Sequence, residues 1–247
     1  MTARRVAALY DVHGNLPALE AVLAERDVQA ADIVLVGGDA VVGPFPCETL
    51  DALLGLGERA VFIRGNTDRA LGEPAADDPW ADRNAWVRDR LGDEGVATVT
   101  AWPETLTLEV DGLGSTLFCH GSPRSDTEIL TRLTPPERLR RILTSAAADV
   151  VVCRHTHVQF DRHFARKRLV NAGSVGMPYE GEPGARWALL GPDVELRRTA
   201  YDVEAAAERV RASGLPGAGE FADEYVLTSY SAEEASQTFE QMAAESA

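Results

Sequence analysis

Five short apolar runs in this 247-residue chain each end in residues that carry chemistry, and that recurrence constrains the fold more than any other feature. Val6 to Tyr10 runs into Asp11-Val12-His13-Gly14-Asn15, and Ile33 to Val36 into Gly37-Gly38-Asp39. Ala60 to Ile63 ends at Arg64-Gly65-Asn66-Thr67-Asp68, Ser115 to Cys119 at His120-Gly121, and Val150 to Cys153 at Arg154-His155-Thr156-His157. Short apolar runs without a 3.6-residue period suit strands covered on both faces. The first three alternate with helical patterns over Leu19 to Arg26 and Glu48 to Leu56, so the first 68 residues read β-α-β-α-β, with parallel pairing. Asn15 is placed to cap the first helix, with Pro17 in its first turn.

The rest of the chain changes pattern. Glu73 to Asp82 is Pro-, Ala- and Asp-rich and reads as a surface excursion, followed by helices over Ala85 to Leu91 and Glu94 to Thr98. Thr105 to Val110 and Ser115 to Cys119 flank a Gly-bearing turn and predict a hairpin. A helix over Leu139 to Ala146, a strand pair over Phe160 to Phe164 and Arg168 to Asn171, and a hairpin of Trp187 to Leu190 with Val194 to Thr199 follow. Val203 to Arg211 and Phe221 to Ala244 read as helices. The expectation is a single domain over residues 1–247 with an acidic helical segment from about 202 onward.

The net charge of −15 excludes a broad nucleic-acid or anionic-membrane surface. About half of that deficit lies beyond Asp202, where it reads as a solvated helical face. No window approaches the ~18 apolar residues of a membrane span, and the N-terminal apolar run meets a charge too early for a signal peptide, so the expected location is cytoplasmic. Cys47, Cys119 and Cys153 are widely spaced and form no CxxC, which fits reduced thiols, the last two as small buried hydrophobes.

Ligands at the carboxyl ends of several strands converge on one edge of a layered α/β fold. Asp11, Asp39 and Asn66 offer hard oxygens, and His13, His120, His155 and His157 offer imidazoles. The mixture suits Mn²⁺, Fe, Ni²⁺, Co²⁺ or Zn²⁺ better than Mg²⁺ or Ca²⁺. Seven donors are too many for one open ion and suit two.

The ordered set D-x-H, G-D, G-N-x-D, H and H-x-H resembles the calcineurin-like metallophosphoesterases. It is most similar to their small bacterial phosphodiesterases, which share a loop matched here by Asn171-Ala-Gly-Ser-Val-Gly-Met-Pro178. The resemblance implies an α/β (α+β) fold, a four-layer αββα sandwich of two mixed sheets flanked by helices. It further implies one ion, expected to be Mn²⁺, on Asp11, His13, Asp39 and His157, and a second on Asp39, Asn66, His120 and His155. A hydroxide between the two would attack a phosphodiester, with Asp39, Asn66, Thr67, Asp68 and His120 as the catalytic set. A phosphomonoesterase, a dinucleoside-polyphosphate hydrolase or a non-catalytic scaffold similar to the retromer subunit are the alternatives. The expected partner is a small phosphorylated substrate such as a nucleotide, with neither a membrane nor an extended nucleic acid; a homo-oligomer is compatible with the sequence.

Two departures stand out. Thr67 occupies the position where the larger family has a His that donates to the substrate, and Arg154 stands where the last motif has Gly. Asn15, Arg69, Arg124 and Arg154 are candidate phosphate contacts. Gly43 to Pro46, Leu71 to Trp80 and Met177 to Pro183 are the loops expected to set selectivity.

Overall fold

The computed structural model describes residues 2–74 and 78–245; the central part of the Glu73 to Asp82 excursion lies outside them. In chain order the elements begin with β1 (Thr2–Ala3), β2 (Val6–Leu9), α1 (Leu16–Leu23), α2 (Arg26–Ala30), β3 (Ile33–Val36), α3 (Pro46–Leu54) and β4 (Ala60–Phe62). Next come α4 (Asn66–Gly72), α5 (Ala81–Thr100), β5 (Thr105–Val110), β6 (Gly114–Cys119), α6 (Pro136–Leu143) and β7 (Val150–Cys153). The last are β8 (Phe160–Phe164), β9 (Lys167–Asn171), β10 (Ala185–Leu190), β11 (Val194–Thr199), α7 (Val203–Arg211), α8 (Ala218–Phe221) and α9 (Ala232–Glu245).

The strands form two mixed sheets, β1-β5-β6-β7-β9-β8 and β11-β10-β2-β3-β4. As the β-α-β-α-β reading requires, β2, β3 and β4 pair in parallel, in the registers Val6 to Ile33 and Val34 to Ala60. The β5-β6 and β10-β11 hairpins are antiparallel.

Alternation along the strands explains the layering. Val6, Ala8, Tyr10, Ile33 and Leu35 meet Phe118, Val150, Val152 and Val170 between the two sheets. Their neighbours Ala7, Leu9, Val34 and Val36 face outward onto Leu19 and Val22 of α1, Leu50 and Leu53 of α3 and Val210 of α7. On the far side, Val151 and Cys153 pack with Cys119 under Leu139, Ile142 and Leu143 of α6. Period-two burial on both faces of each sheet yields the helix-sheet-sheet-helix order. Tyr10 also ties the layers together, its hydroxyl donating to the Val152 carbonyl at 3.2 Å.

Local chemistry sets the helix ends. Asn15 caps α1 by accepting from Ala18 N–H, with Pro17 in the first turn. Gly92, at φ 65° and ψ 176°, interrupts α5, which accounts for the two helical patterns in its sequence. The helix expected over Phe221 to Ala244 is broken instead: a π-helical turn spans Ala222–Leu227 and Thr228 is extended. There the Ser229 hydroxyl donates to Pro178 O and accepts from Glu180 N–H, bonds a continuous helix would not make. The acidic segment is also more than a solvated face, because Ala206, Ala207, Val210, Phe221, Ala222 and Val226 join the core. No helix among the described residues is long and apolar enough to cross a membrane.

Candidate active site

The carboxyl ends of β2, β3, β4, β6 and β7 meet at one edge, and backbone bonds lock the loops that follow them. His13 N–H donates to Asp39 O and Gly14 N–H to Ala40 O, while Arg154 N–H donates to His120 O. The Asn171 to Pro178 loop grips the same region from β9. The Ser174 hydroxyl and Gly176 N–H both donate to the Asp11 carbonyl, and Asn171 Nδ2 donates to Arg154 O and to the Thr156 hydroxyl. That loop is therefore a backbone clamp on two of the ligand loops.

Backbone conformation separates these residues from the rest. Six non-glycine residues have positive φ among those described, and five of them are Asp11 (43°), His13 (47°), Asp39 (51°), His155 (68°) and His157 (56°). This region is costly for side chains with a Cβ and persists where surrounding structure imposes it, as at functional sites.

The side chains converge. His157 Nε2 lies 3.0 Å from Asp11 Oδ2 and His13 Nε2 lies 3.8 Å from it. His120 Nε2 lies 3.3 Å from Asp39 Oδ2, and His13 Nε2 is 3.9 Å from that oxygen. Two groups have donor atoms close enough to hold an ion: Asp11, His13 and His157, and Asp11, Asp39 and His120. Asp11 is thus common to both, whereas the resemblance makes Asp39 the shared ligand. His155 stands outside these two groups of acids and imidazoles, and with Asn66 it lines the same cavity as His13, Asp39 and His157.

The donor set fits divalent ions. Both Asp11 carboxylate oxygens, His13 Nε2, His120 Nε2, Asn66 Oδ1 and the Thr67 hydroxyl are buried without a hydrogen-bond partner among the described residues. Orphaned polar atoms of this kind are costly in a folded protein unless something else engages them. The imidazoles are oriented for it. Nδ1 of His120 faces Gly37 O at 3.1 Å and Nδ1 of His157 faces Met177 O at 2.6 Å, so each ring donates outward and presents Nε2 to the centre. Burial keeps His13 and His157 neutral and pushes His155 down to about 4, leaving lone pairs free. Asp39 is held below the usual carboxylate range. Burial opposes this, but the neighbouring His120, whose pKa burial lowers and Asp39 raises on balance, and the Thr67 N–H at 2.8 Å outweigh it.

Asp68 is placed differently from the expectation of a catalytic residue. It is fully buried at the start of α4, and its oxygens accept the N–H groups of Asp39, Ala40 and Gly65 at 2.7, 3.1 and 3.0 Å. Its carboxylate fixes the loop that carries Asp39.

The four expected phosphate contacts are also engaged elsewhere. Asn15 is buried, with its amide spent on Ala18 N–H and Gly176 O. Arg69 is paired in bidentate fashion with Asp126, and Arg124 with Glu128. Arg154 is fully buried, with its Nη1 set against Asp11 Oδ2. Its guanidinium lies beneath the ligand set and does not line the cavity.

The cavity beside the ligands measures about 230 Å³, and sequence reasoning found only part of its wall. Trp80, Met177 and Tyr179 come from loops expected to matter, but Arg83, Asn84, Tyr225 and Phe239 do not. No motif marks them; they arrive through α5 and the C-terminal segment. A cavity of about 580 Å³ lies elsewhere, around Arg124, Glu128, Arg138 and Arg141, and no ligand residue faces it.

Residues 5–191 match the calcineurin-like phosphoesterase superfamily domain. The chain belongs to that superfamily. A protein of Methanocaldococcus jannaschii described as uncharacterised is 24% identical over 239 residues, covering 87% of this chain and 96% of that one. Among solved structures, a metallophosphoesterase from Sphaerobacter thermophilus is 26% identical with a TM-score of 0.71, covering 90% of this chain and 97% of its own. A hypothetical protein from Pyrococcus horikoshii shares the fold at a TM-score of 0.76 and 22% identity, covering 93% of this chain and 100% of its own. The family is metal-dependent, and this phosphoesterase has the buried acid and imidazole groups to hold metal.

Proposed function

We propose that this phosphoesterase hydrolyses phosphodiesters with two divalent ions, Mn²⁺ foremost, and that its substrate is a small phosphorylated molecule and not an extended nucleic acid. The observation that carries the reading is the donor set gathered from five strand ends, with unpartnered buried atoms on Asp11, His13, Asn66 and His120 and positive φ at Asp11, His13, Asp39, His155 and His157. When bound, such ions supply Lewis acidity at phosphorus and lower the pKa of water.

The chain's own part follows from its geometry. Asp39 stays anionic, positioned by Thr67 N–H, and His120 and His157 hold Nε2 inward through their Nδ1 bonds. The Thr67 hydroxyl lines the cavity and can donate a hydrogen bond to a phosphoryl or leaving oxygen. It cannot give up a proton at neutral pH as an imidazolium could. The aromatic wall of Tyr179, Tyr225 and Phe239 leaves room for a second ester arm, which a diester has and a monoester lacks.

The test uses metal-stripped protein with added Mn²⁺, comparing bis-p-nitrophenyl phosphate with p-nitrophenyl phosphate. His155→Ala and Asp39→Asn are measured alongside. Metal-dependent cleavage of the diester, lost in both variants, is the expected result. Preference for the monoester would overturn the diester reading. Absence of turnover with two ions bound per chain would move the reading to a scaffold of this fold.

A further inference from the structure

The family domain ends at residue 191, yet two walls of the cavity come from beyond it: Tyr225 in the π-helical turn and Phe239 on α9. They complete a ladder of near-parallel rings that starts at the ligand set. His13 stacks with His157 at 5.4 Å and 22°, His157 with Tyr179 at 4.6 Å and 14°, and Tyr179 faces Phe239 at 6.4 Å and 22°. On another wall Trp80 lies over the Arg83 guanidinium at 4.4 Å.

Two polar groups in this aromatic surround are short of partners. Arg83 is 8% exposed, forms no ion pair among the described residues, and its Nε has no hydrogen-bond acceptor. Asn84 is 6% exposed; its Nδ2 donates to Asp78 at 2.6 Å, while its Oδ1 accepts nothing among the described residues. Neighbouring residues thus offer one unsatisfied donor and one unsatisfied acceptor, both nine-tenths buried and both lining the cavity. An unpartnered buried donor beside an unpartnered buried acceptor is costly to keep, which argues that the site engages a ligand group there.

We propose that this pocket is a specificity subsite for the nucleobase of a nucleotide phosphodiester. The inference rests on the phosphodiesterase reading and names the ester arm that reading leaves open. A heteroaromatic base combines the two properties the walls ask for. Its π-face packs on aromatic side chains whatever its sequence identity, and its edge presents an acceptor to Arg83 beside a donor to Asn84. At about 230 Å³ the cavity falls below the ~300–1,000 Å³ that takes a drug-sized ligand. It therefore accommodates one base and not a dinucleotide, with the phosphate reaching back to the ligand residues.

Two measurements test this. The first compares kcat/KM for the p-nitrophenyl ester of thymidine 5′-monophosphate with that for methyl p-nitrophenyl phosphate, which has the same leaving group and no base. The nucleotide ester is expected to be preferred by about tenfold or more, and Arg83→Met and Phe239→Ala should each collapse the ratio toward one. The second follows Trp fluorescence of the metal-free protein on adding thymidine 5′-monophosphate or ribose 5-phosphate. Saturable quenching by the nucleotide alone, lost in Trp80→Leu, is expected. Equal kcat/KM values for the two esters would overturn the subsite while leaving the phosphodiesterase reading standing. Failure to cleave either ester would sink that reading instead, and the quenching experiment would still decide the subsite. Ratios that persist in both variants, or equal quenching by ribose 5-phosphate, would overturn it as well.

Discussion

Gly65 and Asp39 are packed so closely that no methyl group fits between them: a Cβ on Gly65 would lie 2.1 Å from Asp39 Oδ1 and 2.5 Å from its backbone nitrogen. The glycine is required by proximity and not by conformation, since its φ is −96°. Gly65→Ala should push the carboxylate off its position while leaving the sheets intact. The expected result is a loss of Mn²⁺ affinity of about tenfold to a hundredfold with an unchanged far-ultraviolet circular dichroism spectrum. Affinity within twofold of the parent protein would show that Asp39 does not need this placement.

Arg154 presents the opposite case, a cation pressed against a ligand carboxylate. None of its three guanidinium nitrogens makes a hydrogen bond among the described residues, so the contact with Asp11 is what offsets its desolvation. Its charge repels any dication at Asp11. Arg154→Met keeps much of the volume and removes the charge, and should tighten Mn²⁺ binding by about tenfold at this range. Titration calorimetry decides it; weaker binding in the variant would mean the guanidinium supports the ligand geometry.

Thr67 lacks a proton to give, so cleavage should slow steeply as the leaving group becomes more basic. A series of aryl methyl phosphates yields the slope of log kcat/KM against leaving-group pKa. Thr67→His, which introduces a general acid worth about 10²–10⁴-fold where it acts, should flatten that slope. A flat slope in the parent protein would place an acid elsewhere.

Removing metal should cost stability. Ions that bind only the native state add about 2.7 kcal/mol at a hundred times Kd, or roughly 5–10 °C in Tm for a chain of this size. A thermal scan with and without chelator checks the value, and Asp39→Asn should reduce the difference. An identical Tm in both conditions would mean the strained loops are held without ions.

Thiol chemistry tests the packing around α6. Cys119 and Cys153 are fully buried, and burial pushes the Cys153 thiol up to about 12. Cys47 is half-buried near the surface, with its thiol toward Arg90 O. Native protein at pH 8 should take up one equivalent of iodoacetamide, at Cys47, and three after denaturation. Rapid modification of Cys153 in native protein would contradict the buried cluster.

The positions of the donors could be read directly, because a polar residue after a short apolar run has one place to go in a parallel sheet. That logic places Asp11, Asp39, His120 and His157 around one centre. What it could not see is conformational or remote. Positive φ at Asp11 or His155 follows from how neighbouring loops brace one another, and no residue type announces it. The inward turn of Arg154 depends on space left beneath Asp11 between two layers. Asp68 looked like part of the chemistry because it sits in the motif, but its oxygens were already committed to three backbone N–H groups. Tyr225 and Phe239 reach the site across a break in the helical pattern, where Ser229 bonds to Pro178 and Glu180, long-range bonds that local periodicity does not encode.

That break has a consequence for how the molecule can change. The candidate ion-holding groups all precede residue 158, while Phe239 on the cavity wall sits on α9, separated from the π-helical turn by Thr228 to Ser231. Part of the cavity wall is thereby written in a stretch of the chain separate from the candidate ligands. Drift in the final twenty residues can exchange one substrate for another while the hydrolytic centre is inherited whole.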